Sequence, residues 1–277
     1  MKKWSWFSIL SVALAVGTLS ATGPDAKQLA EMGHATFIQV LGGDEAKFAE
    51  AVRYMEDSRS LDPANSENLY NLSRAYFYDG LTNGRLESLN KAEETLNKLM
   101  EVNPKETRAL AFHGSLLTAK SQGKDLAMFM KGAQEMRSAV EKDPKNVNNR
   151  IVIAFTSMNF PPQALAAMGN YDNLKDLEYV RDVFAKSAFY YAPHAQVVMN
   201  AFVGEAYKAR GDAASAKANY EAALAQPRPS DAGERAGREV LDQAIRVRMN
   251  GGDKPLVAGA LSGCHSCHLN APDKLLK

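Results

Sequence analysis

The sequence predicts an all-α fold, an array of stacked helical hairpins with a short segment appended at the C-terminus. Two observations lead to this prediction. Prolines follow Ala-rich amphipathic stretches at intervals of 41, 40, 49 and 34 residues, at Pro63, Pro104, Pro144, Pro193 and Pro227. Periods of this length are typical of stacked supersecondary units. The chain also lacks the strict apolar–polar alternation that indicates half-buried strands.

Residues 1–23 have the organisation of a secretory signal peptide. A basic start, Met1-Lys2-Lys3, precedes the apolar run Trp4–Val16, and small residues follow at 18–23. The run of about 13 residues is shorter than the roughly 20 that cross a bilayer. Cleavage is therefore expected, and an uncleaved anchor is the alternative. No cysteine lies near the cleavage site, which argues against a lipoprotein.

The net charge of the chain argues against two classes of binding partner. The formal net charge is +1, and loss of residues 1–20 removes Lys2 and Lys3 but no acid, which leaves −1. A near-neutral mature chain argues against binding to nucleic acid or to an anionic membrane surface.

Residues 24–228 carry the repeats. Ala51, Ala92 and Gly132 each lie 12 residues before a proline of the series. The last unit has the clearest pattern of small and aromatic residues, at Gly204, Tyr207, Gly211, Ala216, Tyr220 and Ala223. This pattern resembles the tetratricopeptide repeat (TPR), a 34-residue helix–turn–helix. The second unit fits with about seven extra residues between its helices, around Gly80–Gly84, and the third with about six. The stretch 147–193 diverges most, and Pro161-Pro162 interrupts it because consecutive prolines stop a helix.

The resemblance implies a concave groove that docks peptides or proteins, lined by the first helix of each unit. In the second unit, the TPR register places Tyr70, Phe77 and Tyr78 on the groove side, next to Arg74. Ordinary packing between repeats is the alternative for these aromatic residues.

Residues 229–252 are predicted to form a capping helix. After Ser230-Asp231, an apolar stripe of Val240, Leu241, Ala244 and Ile245, continued by Val247 or Met249, indicates a helix from about Ala232 to Met249. Asn250-Gly251-Gly252 is expected to end it. The remaining segment, 253–277, leads into the strongest motif of the chain.

That motif is Cys264-His265-Ser266-Cys267-His268, which contains the only two cysteines of the sequence. C-x-x-C-H is the attachment signature of c-type haem. We expect one covalent haem, held by thioethers to Cys264 and Cys267, with His268 as the proximal ligand of the iron. A redox dithiol, another metal such as zinc, or a structural disulfide are the alternatives.

The second axial position of the iron requires a ligand from elsewhere or stays open. Residues 269–277 contain no Met, His or Cys, whereas ordinary cytochromes c supply this ligand downstream of the motif. An open or water-filled site is the first expectation. Met249 is a possible second axial ligand, and the distant histidines His34, His113 and His194 are further alternatives.

Export and haem attachment together predict a periplasmic bacterial protein. The function expected is that of a c-type cytochrome-like TPR protein that docks protein partners, among them a redox partner, and transfers electrons. A non-redox TPR adaptor for envelope or transport assembly is the alternative. The sequence has no nucleotide-binding loop and no hydrolase nucleophile turn, so an electron carrier or binding scaffold is favoured over an enzyme.

Overall fold

The computed structural model describes residues 23–41, 44–121, 123–158, 160, 162–169, 171–186, 193–228 and 232–252. Within these ranges the chain is an all-helical solenoid without β-strands, which confirms the predicted fold class. Apart from Gly23, the predicted leader lies outside the described residues, as does the whole segment 253–277.

The described residues form twelve α-helices and a short 3₁₀-helix at Glu45–Lys47. In chain order the α-helices are α1 (Ala26–Leu41), α2 (Phe48–Leu61), α3 (Ser66–Asn83), α4 (Leu86–Val102), α5 (Thr107–Ser121), α6 (Leu126–Lys142), α7 (Val147–Ser157), α8 (Pro162–Ala167), α9 (Asn173–Lys186), α10 (Pro193–Ala209), α11 (Ala213–Leu224) and α12 (Ala232–Met249).

Consecutive helices pack as five hairpins. Hairpins 1, 2 and 3 are α1/α2, α3/α4 and α5/α6; hairpin 4 is α7/α9, with α8 between its helices; hairpin 5 is α10/α11. Each hairpin contacts the next, and α12 follows against α11. No hairpin buries its apolar side alone, so stacking supplies the continuous core of a solenoid.

Three of the five prolines mark one repeated turn. Pro63, Pro104 and Pro144 each follow an Asp or Asn whose N–H closes the preceding helix, as in the 2.9 Å bond from Asp62 N to Ser58 O. The next helix begins four residues after the Asp or Asn in each case. Asn65 and Asn146 cap α3 and α7 by accepting backbone N–H groups. These side chains satisfy amide groups that a helix start leaves without a partner.

The other two prolines have different roles. Pro193 is the first residue of α10, where a proline costs nothing because that N–H has no helical partner. Pro227 lies in the loop after α11. The 49- and 34-residue intervals therefore do not measure the same repeat as the first two. In hairpin 4, α7 ends at Ser157 and α8 begins at Pro162, which is the interruption expected at the double proline.

Small residues allow the two helices of a hairpin to approach closely. A Cβ added to Gly114 in α5 would lie 2.4 Å from the carbonyl oxygen of Gly132 in α6. In hairpin 5, a Cβ on Gly204 would lie 2.8 Å from the ring of Tyr220. Glycine is required at such crossings because any side chain would force the backbones apart.

Hairpin 2 corrects one expectation. The extra residues around Gly80–Gly84 were expected between the helices, but Gly80–Asn83 belong to α3, which is 18 residues long. The chain turns at Gly84, whose φ of 65° is left-handed. The insertion is therefore accommodated by a longer first helix and a tight glycine C-cap.

The capping helix α12 spans the expected range, Ala232–Met249. Leu241, Ala244 and Ile245 are buried as predicted, but Val240 is 63% exposed and does not belong to the apolar stripe. Two residues after the helix, Gly251 has a left-handed φ of 85°, and Gly252 N donates to Val247 O.

Candidate functional site

The side of the array formed by α1, α3, α5, α7 and α10 is called here the inner face, because the first helices line the concave side of solenoids of this kind. Its register follows from the repeated turn. Residues 11 positions after the turn prolines are Arg74, Ser115 and Phe155, and all three are buried. Tyr70 lies one helical turn before Arg74 and is also buried.

The aromatic residues of α3 are packed between helices. Phe112 of α5 lies edge-on to Tyr70, with ring centres 6.1 Å apart, and to Phe77, at 4.9 Å. Tyr78 is half-buried and lies edge-on to Phe37 of α1. The expectation that Tyr70 and Phe77 line an open groove is therefore wrong, because neighbouring first helices take up these rings. The packing alternative is confirmed.

Arg74 is fully buried on this face, which is rare for a charged side chain. It donates from Nη1 to Asn71 Oδ1 at 2.8 Å, and its guanidinium carbon lies 5.7 Å from the ring centre of Phe37. Both the burial of His34 and the nearby positive charge of Arg74 lower the pKa of His34. The His34 imidazole therefore favours its neutral form.

A second arginine links hairpins 2 and 3. Arg108 of α5 donates to both carboxylate oxygens of Glu106, at 2.8 and 2.9 Å, and to Glu67 of α3 at 3.2 Å. Its guanidinium carbon lies 4.6 Å from the ring centre of Tyr70. Burial alone would raise the pKa of Glu106, but the hydrogen bonds from Arg108 outweigh it and lower that pKa.

The end of α12 lies beside the first helix of hairpin 5. Arg248 pairs with Glu205 of α10 at 3.6 Å, and Lys208 Nζ donates to the backbone oxygen of Arg248 at 3.3 Å. Glu205 directly follows Gly204 in α10, just as Ser115 directly follows Gly114 in α5. Glu205 is therefore at the position of its hairpin that is equivalent to Ser115 on the inner face. The chain therefore leaves α12 next to the inner-face residues of α10.

Comparison with solved structures identifies the fold. The chain is similar to a tetratricopeptide repeat protein from Parabacteroides merdae, at 18% identity and a TM-score of 0.50, over 92% of this chain and 83% of that chain. The fold is a TPR-like α-solenoid. No protein-family model matches the sequence, and no curated protein matches it significantly.

Two further structures are similar at a lower level. MamA is 18% identical with a TM-score of 0.40, over 66% of this chain and 90% of that chain. YrrB, described as a TPR protein with an unusual peptide-binding site, is 14% identical with a TM-score of 0.38, over 74% of this chain and 90% of that chain. With TM-scores below 0.5, neither adds to the fold assignment.

Two residues of this TPR solenoid were missed at the level of sequence. Phe112 joins the rings of α3 across the hairpin boundary, and Arg108 joins α5 to Glu67 and Tyr70. Both lie at fixed distances after Pro104, at 8 and 4 residues. Alignment of the three repeated turns would have placed them on the contact between first helices.

The residues predicted to hold haem, Cys264, Cys267 and His268, lie outside the described residues. Met249 is the last residue of α12, where its side chain is half-buried and packs against the core shared by hairpins 4 and 5 and the capping helix. The described part of the TPR solenoid contains no group of three His, Cys, Asp or Glu side chains placed to hold a metal ion.

The distant histidines differ in their surroundings. His113 is buried between the second helices of hairpins 2 and 3, with Nδ1 2.6 Å from Glu135 Oε2 and Nε2 3.9 Å from Glu93 Oε1. It faces the interior, as expected. His34 is half-buried on the inner face, and the side chain of His194 lies outside the described residues.

Within the described ranges, no helix is both long and apolar enough to cross a bilayer.

Proposed function

We propose that this protein is an exported c-type cytochrome-like TPR protein, which carries one covalent haem and docks a protein partner in electron transfer. One observation carries the proposal. The only two cysteines of the chain stand three positions apart, and a histidine follows the second in Cys264-His265-Ser266-Cys267-His268. This spacing is the attachment signature of c-type haem.

The donor set of the pentapeptide fits the group. The thiols of Cys264 and Cys267 form thioethers to the two vinyl groups, and the imidazole of His268 binds the iron as proximal ligand. Bound haem supplies one-electron chemistry. A tetrahedral zinc site would need four ligands around one ion, which this short stretch is too crowded to arrange from a single chain.

The opposite side of the iron is proposed to be open to water or small ligands. The half-buried position of Met249 against the core supports this choice over methionine ligation. Met249 stays the alternative ligand, because it ends α12 only 15 residues before Cys264.

The predicted leader supports a periplasmic location. Haem c attachment needs cysteines that have been exported and kept reduced, so the leader and the pentapeptide support each other. The TPR solenoid supports a role in docking, since stacked hairpins offer an extended surface to a protein partner. The partner is proposed to be a redox protein of the same compartment.

A visible absorption spectrum of the purified protein tests the proposal. An intense Soret band that shifts on addition of dithionite is the expected result. A colourless protein, purified from a bacterial host that attaches haem to exported C-x-x-C-H sequences, would overturn it. It would favour the second candidate, a non-redox periplasmic adaptor, for which the TPR fold itself is the supporting observation.

A further inference from the structure

Left-handed glycines mark the turns of the hairpins. The described residues contain five of them, and four lie between the two helices of hairpins 2–5, at Gly84, Gly123, Gly169 and Gly211. In each of these hairpins the second helix packs back along the first. The fifth, Gly251, follows α12. It therefore stands where a turn between the two helices of a hairpin is expected.

The turn after α12 has the same hydrogen bonds as the turn of hairpin 5. In both turns the left-handed glycine donates its N–H to the carbonyl three residues earlier, and the next residue donates to the carbonyl five residues earlier. The distances are 3.0 and 3.1 Å at Gly211, and 3.1 and 2.9 Å at Gly251. This pair of bonds is a Schellman C-cap. A Cβ on Gly252 would lie 2.6 Å from Cγ1 of Val247, so the chain turns over the Val247 side of α12.

The residues after Gly251 carry the start signal of a second helix. Asp125 and Asp212 cap the second helices of hairpins 3 and 5, where each side chain accepts the N–H three residues on, at 2.9 and 3.0 Å. Asp253 follows Gly251 by two residues, as Asp125 follows Gly123. Pro255 then falls in the first turn, where proline is tolerated.

The apolar spacing after Asp253 also matches a second helix. The residues 8 and 11 positions after the capping Asp are Ala133 and Met136 in α6, and Tyr220 and Ala223 in α11, all of them buried. Met136 and Tyr220 lie against the glycines of the first helices. The residues at these two positions after Asp253 are Leu261 and Cys264. Residues 255–272 contain no Asp, Glu, Lys or Arg, so the segment carries no charge that opposes burial.

Helix α12 has an open apolar edge to receive such a helix. Val240, Ala244 and Val247 are spaced as i, i+4 and i+7, which places them on one face. Ala244 is buried, Val247 is half-buried, and Val240 is 63% exposed. Leu241 and Ile245, which belong to the core shared with hairpins 4 and 5, lie to one side of this edge. Val240 therefore offers apolar surface that the described residues leave uncovered.

We propose that residues 253–268 form a second helix that packs antiparallel on α12, so that the two make a sixth hairpin. Leu261 and Val240 lie 10 and 11 residues from Gly251 on either side, so they face each other. Apolar surface at this contact leaves water on packing.

The same register gives the haem a place, a step that rests on the proposed function. Cys264 comes opposite the start of α12, where Gly233 and Gly237 stand on the same face as Val240. Two glycines one helical turn apart leave space beside the helix backbone. The haem held by Cys264 and Cys267 lies in this space, between the new helix and α12.

Hydrogen exchange of the full-length mature protein tests the sixth hairpin without requiring haem. In the wild type, the amides of residues 257–264 are expected to be protected. Val240→Asp and Leu261→Asp each place a carboxylate in the contact, and each should raise exchange of these amides about tenfold. Exchange in α10 should not change. Leu126→Asp is the matched control, because Leu126 is also an exposed apolar residue, at the start of α6, and should leave residues 257–264 unaffected.

Exchange of residues 257–264 at the rate of an unstructured peptide in the wild type would overturn the sixth hairpin. An equal rise in the Leu126→Asp control would overturn it as well. Protection that arises only as the protein concentration is raised would also overturn it, in favour of a second copy of the chain on α12.

The midpoint potential of the haem tests its position. Gly237→Leu fills the space opposite Cys264, so it should push the haem towards solvent and lower the potential. Gly237→Ala adds a single methyl group and should leave the potential unchanged. An unchanged potential in Gly237→Leu, or an equal shift in both variants, would overturn this position. A colourless protein with protected 257–264 amides overturns the haem proposal and supports the hairpin; a red protein without that protection does the reverse.

Discussion

Gly114 and Gly132 cross so closely that a Cβ on either residue would lie 2.4 Å from the carbonyl oxygen of the other. The two glycines lie in α5 and α6, the helices of hairpin 3. The contact is reciprocal, so neither helix can shift to accept a side chain without losing the approach of the other. This crossing sets how tightly the central hairpin of the solenoid is packed.

Gly114→Ala is therefore expected to destabilise the protein by about 1–3 kcal/mol, the usual cost of overpacking a core. Urea unfolding followed by circular dichroism measures it. The matched control is Gly84→Ala, where the Cβ would meet nothing within 4 Å but the φ of 65° is left-handed. That variant should lose only about 1–2 kcal/mol, the cost of the backbone conformation. A Gly114→Ala protein as stable as the wild type would contradict the close crossing.

Sequence reasoning predicted the helices well because their signals are local. The turn at Asp62-Pro63 and the glycines that end α3 and α12 act within a few residues of their own positions. The range of α12 was predicted from Ser230-Asp231 before the helix, from its apolar spacing, and from Asn250-Gly251-Gly252 after it. The contacts between hairpins were not predicted. Tyr70 was assigned to an open groove because local spacing gives no information about Phe112, which lies 42 residues away and packs against it.

The functional predictions also divide into those that depend on local sequence and those that depend on the tertiary fold. The pentapeptide at 264–268 is a local signature that can be recognised from five residues. The ligand opposite His268, in contrast, depends on which helix lies over the iron. Met249 and His34 were both considered from sequence, and only the contacts of α12 and α1 distinguish a side chain packed into the core from one on the inner face.

Arg108→Gln is expected to weaken the joint between hairpins 2 and 3. Hydrogen bonds to charged groups contribute about 1.5–3 kcal/mol, and Arg108 makes them to Glu106 and Glu67. The pKa of Glu106 is lowered in the folded protein, so its pairing stabilises the fold above its ordinary value of about 4.3. That contribution is lost as the pH falls through the lowered folded pKa.

The loss of stability in Arg108→Gln should therefore be full at pH 7 and smaller at pH 3, as measured by urea unfolding at both values. Lys98→Gln is the control, because Lys98 pairs with Glu101 on the exposed side of α4 and should show no measurable change at either pH. A stability difference for Arg108→Gln that is equal at pH 7 and pH 3 would contradict the role given to Glu106.

Met249→Ala is expected to lower stability and leave the haem spectrum unchanged. The half-buried side chain packs against the core of hairpins 4 and 5, so its truncation is expected to cost packing and not an iron ligand. In the wild type, carbon monoxide should bind the reduced protein without a slow phase of ligand displacement. A sulfur-to-iron charge-transfer band in the oxidised protein, lost in Met249→Ala, would instead establish methionine ligation.

Covalent attachment of haem to Cys264 and Cys267 is the central claim, and the intact mass of the mature protein tests it most directly. The protein is purified from the periplasm of a host that attaches haem c, treated with acid and organic solvent, and weighed. Two thioether bonds survive this treatment, so we predict the mass of the mature chain plus one haem. Haem that moves into the organic phase, leaving the unmodified chain mass, would contradict the account.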